Sequence, residues 1–385
     1  MKAFVLIEPG KVGWHEAPEP VLTPYGAILR PLAVAPCSSD VHTVYGGGSR
    51  KAPNLILGHE CVGEILETGE LVQDFKPGDV VVVPAITPDW RAMGIQEGNF
   101  KHASAPFSGH QLGRTAPGVF AEKFLIPDAD TTLAKIPEGV TLEQALMCVD
   151  VVTTGFTGAE FADIKIGDTV VVLGIGPIGL MAIEGARHLG AARIIAVGSR
   201  PICVELAKEF GATEVLSYKV NPPEGQREDS LGGKVNLPEG QKDASLVCKD
   251  KDVVQQVLER TGGLCADGVI ICGGGDEVFA QAVDMARYGI GTISNVNYFG
   301  GTGNLPFPKF SGGRGMAGKT IHTELAKGGR IRMERLLKMV QYGRINPQKL
   351  VTHQLNGLDQ VETALQMMKE KPKDLIKVMV RIDWK

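Results

Sequence analysis

The chain has 385 residues, of which 43% are hydrophobic, and its 40 Lys and Arg against 44 Asp and Glu give a net charge of −4. This length exceeds a single small module, and the nearly balanced charge argues against a protein that binds nucleic acid. The apolar stretch at residues 169–183 is too short to span a bilayer and is interrupted by Gly and Pro, and the N-terminus lacks an apolar run of signal-peptide length. Composition therefore predicts a soluble, cytoplasmic protein that binds neither nucleic acid nor membrane.

The predicted elements change character along the chain. Residues 1–150 alternate short β-type runs with Gly and Pro, which predicts a β-rich first domain. From Asp168 an apolar strand, a Gly-rich turn, a helical pattern and a second strand form a βαβ unit. Alternating helices and strands then continue, as expected of a parallel, doubly wound α/β sheet. Two amphipathic helical patterns follow, and a closing strand, KVMVRI, is predicted to return to the first domain.

A tandem duplication interrupts the second domain. Residues 219–233 and 234–248 are identical at nine of fifteen positions. A solenoid needs at least three repeats, and these segments are polar and rich in Pro and Gly. We interpret residues 219–248 as a surface insert without a direct role in chemistry.

The Gly-rich turn after Asp168 has the spacing G-x-G-x-x-G. Its glycines are Gly174, Gly176 and Gly179. Between a strand and a helix, this spacing is typical of a dinucleotide fingerprint, because it lets the backbone approach a pyrophosphate at the helix N-terminus. An NAD site would place Asp or Glu about 20 residues later, but the chain has Gly198, Ser199 and Arg200 in that region. Without a carboxylate to repel it, a 2′-phosphate can bind Arg200, which favours NADP(H).

The first domain also carries a thiol, an imidazole and a carboxylate that suit zinc. They belong to Cys37, His59 and Asp150. Three protein ligands with one open position are typical of a catalytic zinc rather than a structural one. Sequence spacing alone does not show that the three residues meet, and each has an ordinary alternative as a core thiol, a core histidine or a helix cap.

The pattern GHExxGxxxxxG followed by PGDxV, upstream of G-x-G-x-x-G, resembles the medium-chain dehydrogenase/reductase superfamily. Longer segments, among them PLAVAPCSSDVHTV, FKPGDVVVVPAITPDW and VLGIGPIGLMA, are similar to its NADP-dependent, zinc-dependent secondary-alcohol dehydrogenases. The resemblance implies a GroES-like catalytic domain at residues 1–151 and 327–385, and a Rossmann domain at residues 152–326 that contains the insert. It also implies a homo-oligomer, a tetramer in this branch.

The same resemblance implies roles for individual residues. Zinc would be bound by Cys37, His59 and Asp150, with Glu60 as an exchangeable fourth ligand. The proton-relay positions are Ser39, which would take the alcohol proton, and His42, which would receive it and whose unperturbed pKa lies near neutrality. The 2′-phosphate site would consist of Ser199, Arg200 and Tyr218.

Two departures from the family pattern affect the expected site. Many relatives bind a structural zinc with four closely spaced Cys, but residues 85–125 contain none, so we expect one catalytic zinc and no structural zinc. His110 stands where the branch usually has a bulky Trp, so either the substrate pocket is larger and more polar or His110 faces solvent in a rearranged loop. The other predicted pocket residues are Ala85, Tyr298 and Leu325.

The predicted reaction is the reversible oxidation of a secondary alcohol to a ketone, with hydride transfer to NADP⁺ and zinc as the Lewis acid. The expected partner is a small alcohol or ketone. A polyol or sugar-alcohol dehydrogenase of the same superfamily is an alternative. A zinc-free quinone-type reductase and a non-catalytic binding protein are two further alternatives, which zinc analysis would distinguish from the first two.

Overall fold

The computed structural model describes residues 1–46, 54–218, 252–300 and 303–384. The chain divides into two compact units. Unit 1 comprises Met1–Thr157, Tyr298–Gly303 and Leu325–Lys385, and unit 2 comprises Gly158–Asn297 and Asn304–Glu324. The sequence places the first boundary after residue 151, whereas a helix, Thr153–Phe161, begins in unit 1 and ends in unit 2. The duplicated insert, residues 219–248, lies outside the described residues.

The strands in chain order are β1 Lys2–Glu8, β2 Lys11–Glu16, β3 Ala27–Val34, β4 Leu55–Ile56, β5 Cys61–Thr68, β6 Val80–Val83, β7 Phe124–Ile126, β8 Ala134–Lys135, β9 Thr169–Leu173, β10 Arg193–Val197, β11 Glu214–Leu216, β12 Gly268–Ile271, β13 Thr292–Asn295, β14 Thr320–Thr323, β15 Val351–Asn356 and β16 Lys377–Arg381. The α-helices are α1 Ser38–Tyr45, α2 Ala129–Thr132, α3 Leu142–Met147, α4 Thr153–Phe161, α5 Pro177–Leu189, α6 Pro201–Phe210, α7 Val253–Arg260, α8 Glu277–Met285, α9 Arg330–Gln341 and α10 Val361–Glu370. A π-helical turn, Cys148–Val152, joins α3 to α4.

Unit 1 is built on β-sheets, as the short β-type runs predict. Its larger sheet has the order β15-β16-β3-β5-β6-β8, with β7 also paired to β3, and a smaller sheet has the order β2-β1-β4. The closing strand β16 pairs antiparallel with β3, which confirms its predicted return to the first domain. The core between the elements contains fully buried Phe4, Leu29, Ile65 and Phe120. Burial of this apolar surface holds the loops that carry the site on a rigid frame.

Unit 2 contains a six-stranded sheet with the order β11-β10-β9-β12-β13-β14, and all its pairs are parallel. This confirms the predicted doubly wound Rossmann sheet. The strand order reverses at β9, and the turns after parallel strands meet at their carboxyl edge, where such sheets bind ligands. Among the described residues, no helix has the length and apolar character required to cross a membrane.

Candidate active site

Four side chains from separate parts of unit 1 place their metal-binding atoms close together. The cluster consists of Cys37, His59, Glu60 and Asp150, and its donor atoms lie within 4.8 Å of one another. Within the described ranges it is the one such group. The structure therefore assembles in one place the four residues that the sequence resemblance assigned to zinc.

Cys37 is held at the start of α1. Its extended backbone makes it the N-cap residue, and its Sγ accepts a hydrogen bond from the Ser39 backbone N–H at 3.4 Å. The Asp40 carboxylate accepts a hydrogen bond from the Cys37 backbone N–H at 2.9 Å in return. This reciprocal capping satisfies two backbone donors at the helix start and fixes the position of the thiol.

His59 lies in the turn between β4 and β5. The preceding Gly58 has a φ of +91°, and a Cβ there would lie 2.4 Å from the Phe120 ring, so the turn requires glycine. The Nδ1 atom of His59 lies 3.3 Å from an Asp40 carboxylate oxygen. When the Nδ1–H group donates a hydrogen bond to Asp40, Nε2 keeps a free lone pair on the cluster side. Burial lowers the pKa of His59, but the charge and hydrogen bond of Asp40 outweigh burial and raise it.

Asp150 occupies the π-helical turn Cys148–Val152. Extra-residue turns of this kind interrupt α-helices at functional sites and redirect a side chain. The Thr154 hydroxyl donates a hydrogen bond to Asp150 Oδ1 at 2.9 Å, while Asp150 Oδ2 lies 3.9 Å from His59 Nε2. Thr154 therefore orients the carboxylate, with its second oxygen toward the imidazole.

Glu60 forms a buried ion pair with a residue from the far end of the sequence. Lys377 Nζ, on β16, lies 2.6 Å from Glu60 Oε1, and the two side chains are 2% and 0% exposed. Glu60 Oε2 is buried and has no hydrogen-bond partner among the described residues. Burial raises the pKa of Glu60 to about 8 against the opposing charge of Lys377. Burial also lowers the pKa of Lys377, but the Glu60 carboxylate outweighs that effect and raises it.

The cluster fits a divalent zinc ion on its own chemistry. Burial and the Asp150 charge raise the pKa of the Cys37 thiol, because a second anion in this dry site is costly without a cation. A thiolate, an imidazole and a carboxylate form a donor set that zinc accepts, and a bound cation would stabilise the thiolate. The unpartnered Glu60 Oε2 offers a further oxygen ligand.

Ser39 and His42 lie on α1 beside the cluster. Ser39 Oγ is 3.2 Å from Cys37 Sγ and 3.3 Å from His59 Nε2, so the hydroxyl reaches the centre of the site. His42 follows one turn later, and its ring centroid lies 5.2 Å from that of Tyr298. Burial, and then the charge of Lys371, lower the pKa of His42.

His110 packs directly on a member of the cluster. Its ring meets the His59 ring edge-on, with 4.8 Å between centroids, and its Nε2 is buried without a hydrogen-bond partner among the described residues. Burial, and then the charge of His59, lower the pKa of His110 to about 3. Of the other predicted pocket residues, Ala85 is buried, Leu325 is half-buried and Tyr298 is exposed.

The residues predicted to bind the cofactor lie at the carboxyl edge of the unit 2 sheet. Gly174, after β9, has a φ of +86°, and a Cβ on Gly179 would lie 1.8 Å from the Gly174 carbonyl oxygen. Gly176 caps the N-terminus of α5, and the position its Cβ would take lies 3.9 Å from Arg200 Nη2. Arg200 and Ser199 follow β10, whereas Tyr218 follows the neighbouring strand β11 and is exposed.

Three residues that contact the cluster were not identified from the sequence, namely Asp40, Thr154 and Lys377. Asp40 had a detectable signal, because an acidic residue three positions after Cys37 fits a helix-capping pair. Lys377 offered only a weak signal, a cation within the apolar closing strand, and 317 residues separate it from Glu60. No local pattern connects residues so distant in the sequence.

Comparisons with known proteins agree with this arrangement. Residues 23–138 match the model of the alcohol dehydrogenase GroES-like domain, and residues 177–237 match that of the zinc-binding dehydrogenase domain. The chain is 49% identical over 380 residues to a protein named NADP-dependent isopropanol dehydrogenase from Thermoanaerobacter brockii, covering 99% of each chain. It is 47% identical, with the same coverage, to a protein of the same name from Clostridium beijerinckii. A solved structure of an alcohol dehydrogenase from Thermus sp. ATN1 superposes with a TM-score of 0.77 at 26% identity, covering 100% of each chain.

Proposed function

The chain belongs to the zinc-binding alcohol dehydrogenases of the medium-chain dehydrogenase/reductase superfamily, and we propose that it interconverts secondary alcohols and ketones with NADP(H). The observation that carries this proposal is the four-residue cluster of thiol, imidazole and carboxylates within 4.8 Å. The relatives named for isopropanol and NADP support the substrate class and the cofactor. A zinc-free reductase would have no use for these converging donors, which argues against that alternative.

We propose that Cys37, His59 and Asp150 hold one catalytic zinc ion and that Glu60 is its exchangeable fourth ligand. When bound, zinc polarises the oxygen of the substrate as a Lewis acid, and the nicotinamide exchanges a hydride with the adjacent carbon. Asp40 and Thr154 orient the imidazole and the carboxylate, which is the usual role of groups that bond to metal ligands. Residues 85–125 contain no Cys, so we propose no second, structural zinc.

We propose that Ser39 handles the proton of the alcohol. Its Oγ reaches both Cys37 Sγ and His59 Nε2, so a substrate oxygen within this ligand set would lie within hydrogen-bonding reach of the hydroxyl. Ser39 would accept the proton during oxidation and return it during reduction. His42 is the next acceptor on the same helix, and its lowered pKa keeps it neutral and ready to receive a proton at pH 7.

We propose that unit 2 binds NADP(H). The N-terminus of α5 and the backbone N–H groups of the Gly174–Gly179 turn would hold the pyrophosphate. The proximity of the Arg200 guanidinium to Gly176 supports a 2′-phosphate site that Arg200 forms with Ser199 and Tyr218. A phosphate requires such donors, whereas the NAD ribose requires a carboxylate, which this turn lacks.

The substrate pocket is proposed to consist of Ala85, His110, Tyr298 and Leu325, beside the zinc ligands. His110 replaces a larger aromatic side chain of the branch, so the pocket would be roomier and more polar than in those relatives. A small alcohol or ketone is the proposed partner.

We further propose a cytoplasmic homo-oligomer. The free thiols support a reducing compartment, because all six cysteines in the described ranges are unpaired. Unit 2 presents exposed apolar side chains near the edge strand β14, including Phe310, Met316 and Ile290. Large exposed apolar groups near an open sheet edge favour association with a second copy. The resemblance to tetrameric relatives makes a tetramer the expected oligomer.

The test is to assay the purified protein for NADPH-dependent reduction of acetone and NADP⁺-dependent oxidation of isopropanol, together with metal analysis. We expect both activities, stoichiometric zinc, and loss of zinc and activity in Cys37→Ser with NADPH binding retained. Cys61→Ser, another buried thiol in unit 1 outside the cluster, is the matched control and is expected to keep its zinc. Absence of both activities in zinc-loaded protein would refute the proposed function.

A further inference from the structure

The wall formed by the segments around Thr87 and His110, of which the His110 ring contacts His59, contains two buried polar atoms without a hydrogen-bond partner among the described residues. One is His110 Nε2, and the other is the Thr87 hydroxyl, on a side chain that is 7% exposed. The two segments are neighbours, because the Thr87 backbone N–H donates a hydrogen bond to the Gly109 carbonyl at 2.7 Å. A buried polar atom left without a partner costs about 1–3 kcal/mol, so an unsatisfied pair in one wall is unusual unless a ligand satisfies it.

This wall also adjoins the metal-binding cluster. The His110 ring contacts the His59 ring, and the Ala85 backbone N–H, two residues before Thr87, donates a hydrogen bond to the carbonyl of Val149, the neighbour of Asp150. A substrate group bonded to His110 would therefore lie close to the oxygen that reacts at the cluster. Such closeness favours a second polar group on the carbon next to the reacting carbon over one farther along the chain.

The hydrogen-bonding capacity of His110 Nε2 and of the Thr87 hydroxyl favours a hydroxyl group on the substrate. A neutral imidazole Nε2 donates or accepts according to its tautomer, and a threonine hydroxyl does both. A substrate hydroxyl can pair with either tautomer, whereas a substrate carbonyl can pair only with a donor.

From these observations, and resting on the proposed function, we propose that the enzyme prefers α-hydroxyketones and the corresponding vicinal diols, and that His110 binds their second oxygen. In the reduction, NADPH delivers a hydride to the carbonyl carbon, a proton adds to the carbonyl oxygen, and the products are a vicinal diol and NADP⁺. The neighbouring hydroxyl is neither oxidised nor reduced. His110 thus acts as a specificity-determining residue rather than as an acid or base.

The proposal is tested with a pair of ketones that differ at one group. Acetoin and isopropyl methyl ketone have nearly the same shape, and a hydroxyl in the first replaces a methyl in the second. For the zinc-loaded enzyme with NADPH, we expect kcat/KM for acetoin to exceed that for the isopropyl ketone by about tenfold or more, since a site built around a hydroxyl rejects the analogue that lacks it. His110→Phe should remove this preference, His110→Gln should keep part of it, and His15→Phe, on the exposed strand β2, should leave it unchanged.

A binding measurement complements the kinetics. Lactamide and isobutyramide carry the same hydroxyl-for-methyl exchange on an amide carbonyl that the enzyme does not reduce. Calorimetry on the NADPH-bound, zinc-loaded protein should show tighter binding of lactamide by about tenfold or more in the wild type and equal binding in His110→Phe. Zinc content and circular dichroism of each variant verify that the site has folded.

The outcomes separate the two claims. An enzyme that reduces both ketones without preference, or a His110→Phe variant that keeps the wild-type preference in kinetics and binding, would overturn the role of His110 and leave the proposed function intact. A wild-type enzyme that reduces neither these ketones nor acetone would instead refute the proposed function.

Discussion

Asp40 orients two of the four residues of the cluster at once. Its carboxylate accepts the Cys37 backbone N–H at 2.9 Å and lies 3.3 Å from His59 Nδ1. Burial raises the pKa of Asp40, but the charge and hydrogen bond of His59 and the Cys37 N–H outweigh burial and lower it. A carboxylate kept ionised in this position fixes the tautomer of His59 and directs Nε2 toward the other donor atoms of the cluster.

Replacing Asp40 with Asn should therefore weaken zinc binding without removing a ligand. We expect a loss of roughly 10–100-fold in zinc affinity, the usual effect of changing a group that supports a metal-bound histidine. Competition with a chromophoric chelator measures this affinity. Asp276→Asn, in unit 2, is the matched control. Equal zinc affinity of Asp40→Asn and wild type would show that Asp40 only caps α1.

A pH profile tests the part of His42 in proton transfer. Alcohol oxidation needs neutral His42, so kcat/KM should fall as the pH drops through its pKa, and the lowered pKa puts that fall below pH 6.5. The Lys371 charge contributes to the lowering, so Lys371→Gln should raise the pKa of His42 and move the acidic limb to higher pH. The exposed Lys373→Gln serves as control. If Lys371→Gln leaves the acidic limb of the profile at the same pH, a group other than His42 produces that limb.

At the scale of single elements, the glycine turn and the strand after it were predictable because their signals are local. The G-x-G-x-x-G spacing identifies a strand, a turn and a helix within about 20 residues, and β9, α5 and β10 confirm that unit. The convergence of Cys37, His59, Glu60 and Asp150 depends on how the start of α1, the turn between β4 and β5 and the π-helical turn pack together, which periodicity does not encode. It was anticipated through family resemblance, whereas the Glu60–Lys377 pair was not anticipated at all.

The turn after β10 is expected to determine cofactor choice. NADPH should be preferred over NADH by at least about tenfold, equivalent to about 1.4 kcal/mol, a modest demand on one charge-assisted phosphate contact. Arg200→Ala combined with Ser199→Asp should reverse the preference, because one change removes attraction and the other adds repulsion. The ratio of kcat/KM values for NADPH and NADH measures this cofactor preference.

Gly198 is not a suitable position for a carboxylate that would repel the 2′-phosphate. A Cβ there would lie 2.1 Å from Ile175 Cγ1, so any side chain would disturb the fingerprint turn itself. Arg193→Ala, on β10 but paired with Glu214 away from the turn, is the control for general effects of removing an arginine. Equal use of both cofactors by the unmodified enzyme would contradict the assignment.

At the scale of the whole molecule, the proposed oligomer depends on the exposed apolar side chains of unit 2. Phe310 is 88% exposed. Phe310→Glu should shift the molecular mass in solution toward smaller species, because a buried unpaired carboxylate is costly at an interface. Ile166→Glu, at a position that is 92% exposed in the same unit, is the matched control. Light scattering after size exclusion measures the mass, and an unchanged mass for Phe310→Glu would place the contact elsewhere.

In the function proposed above, one zinc ion in the Cys37–His59–Glu60–Asp150 cluster supports the NADPH-linked reduction of ketones. The most direct measurement strips the metal with a chelator and follows ketone reduction during stepwise addition of zinc. We expect activity that rises linearly and levels off at one zinc per chain, with Cys37→Ser inactive throughout while still binding NADPH. Full activity in the metal-free protein, or a plateau reached only at two zinc ions per chain, would contradict it.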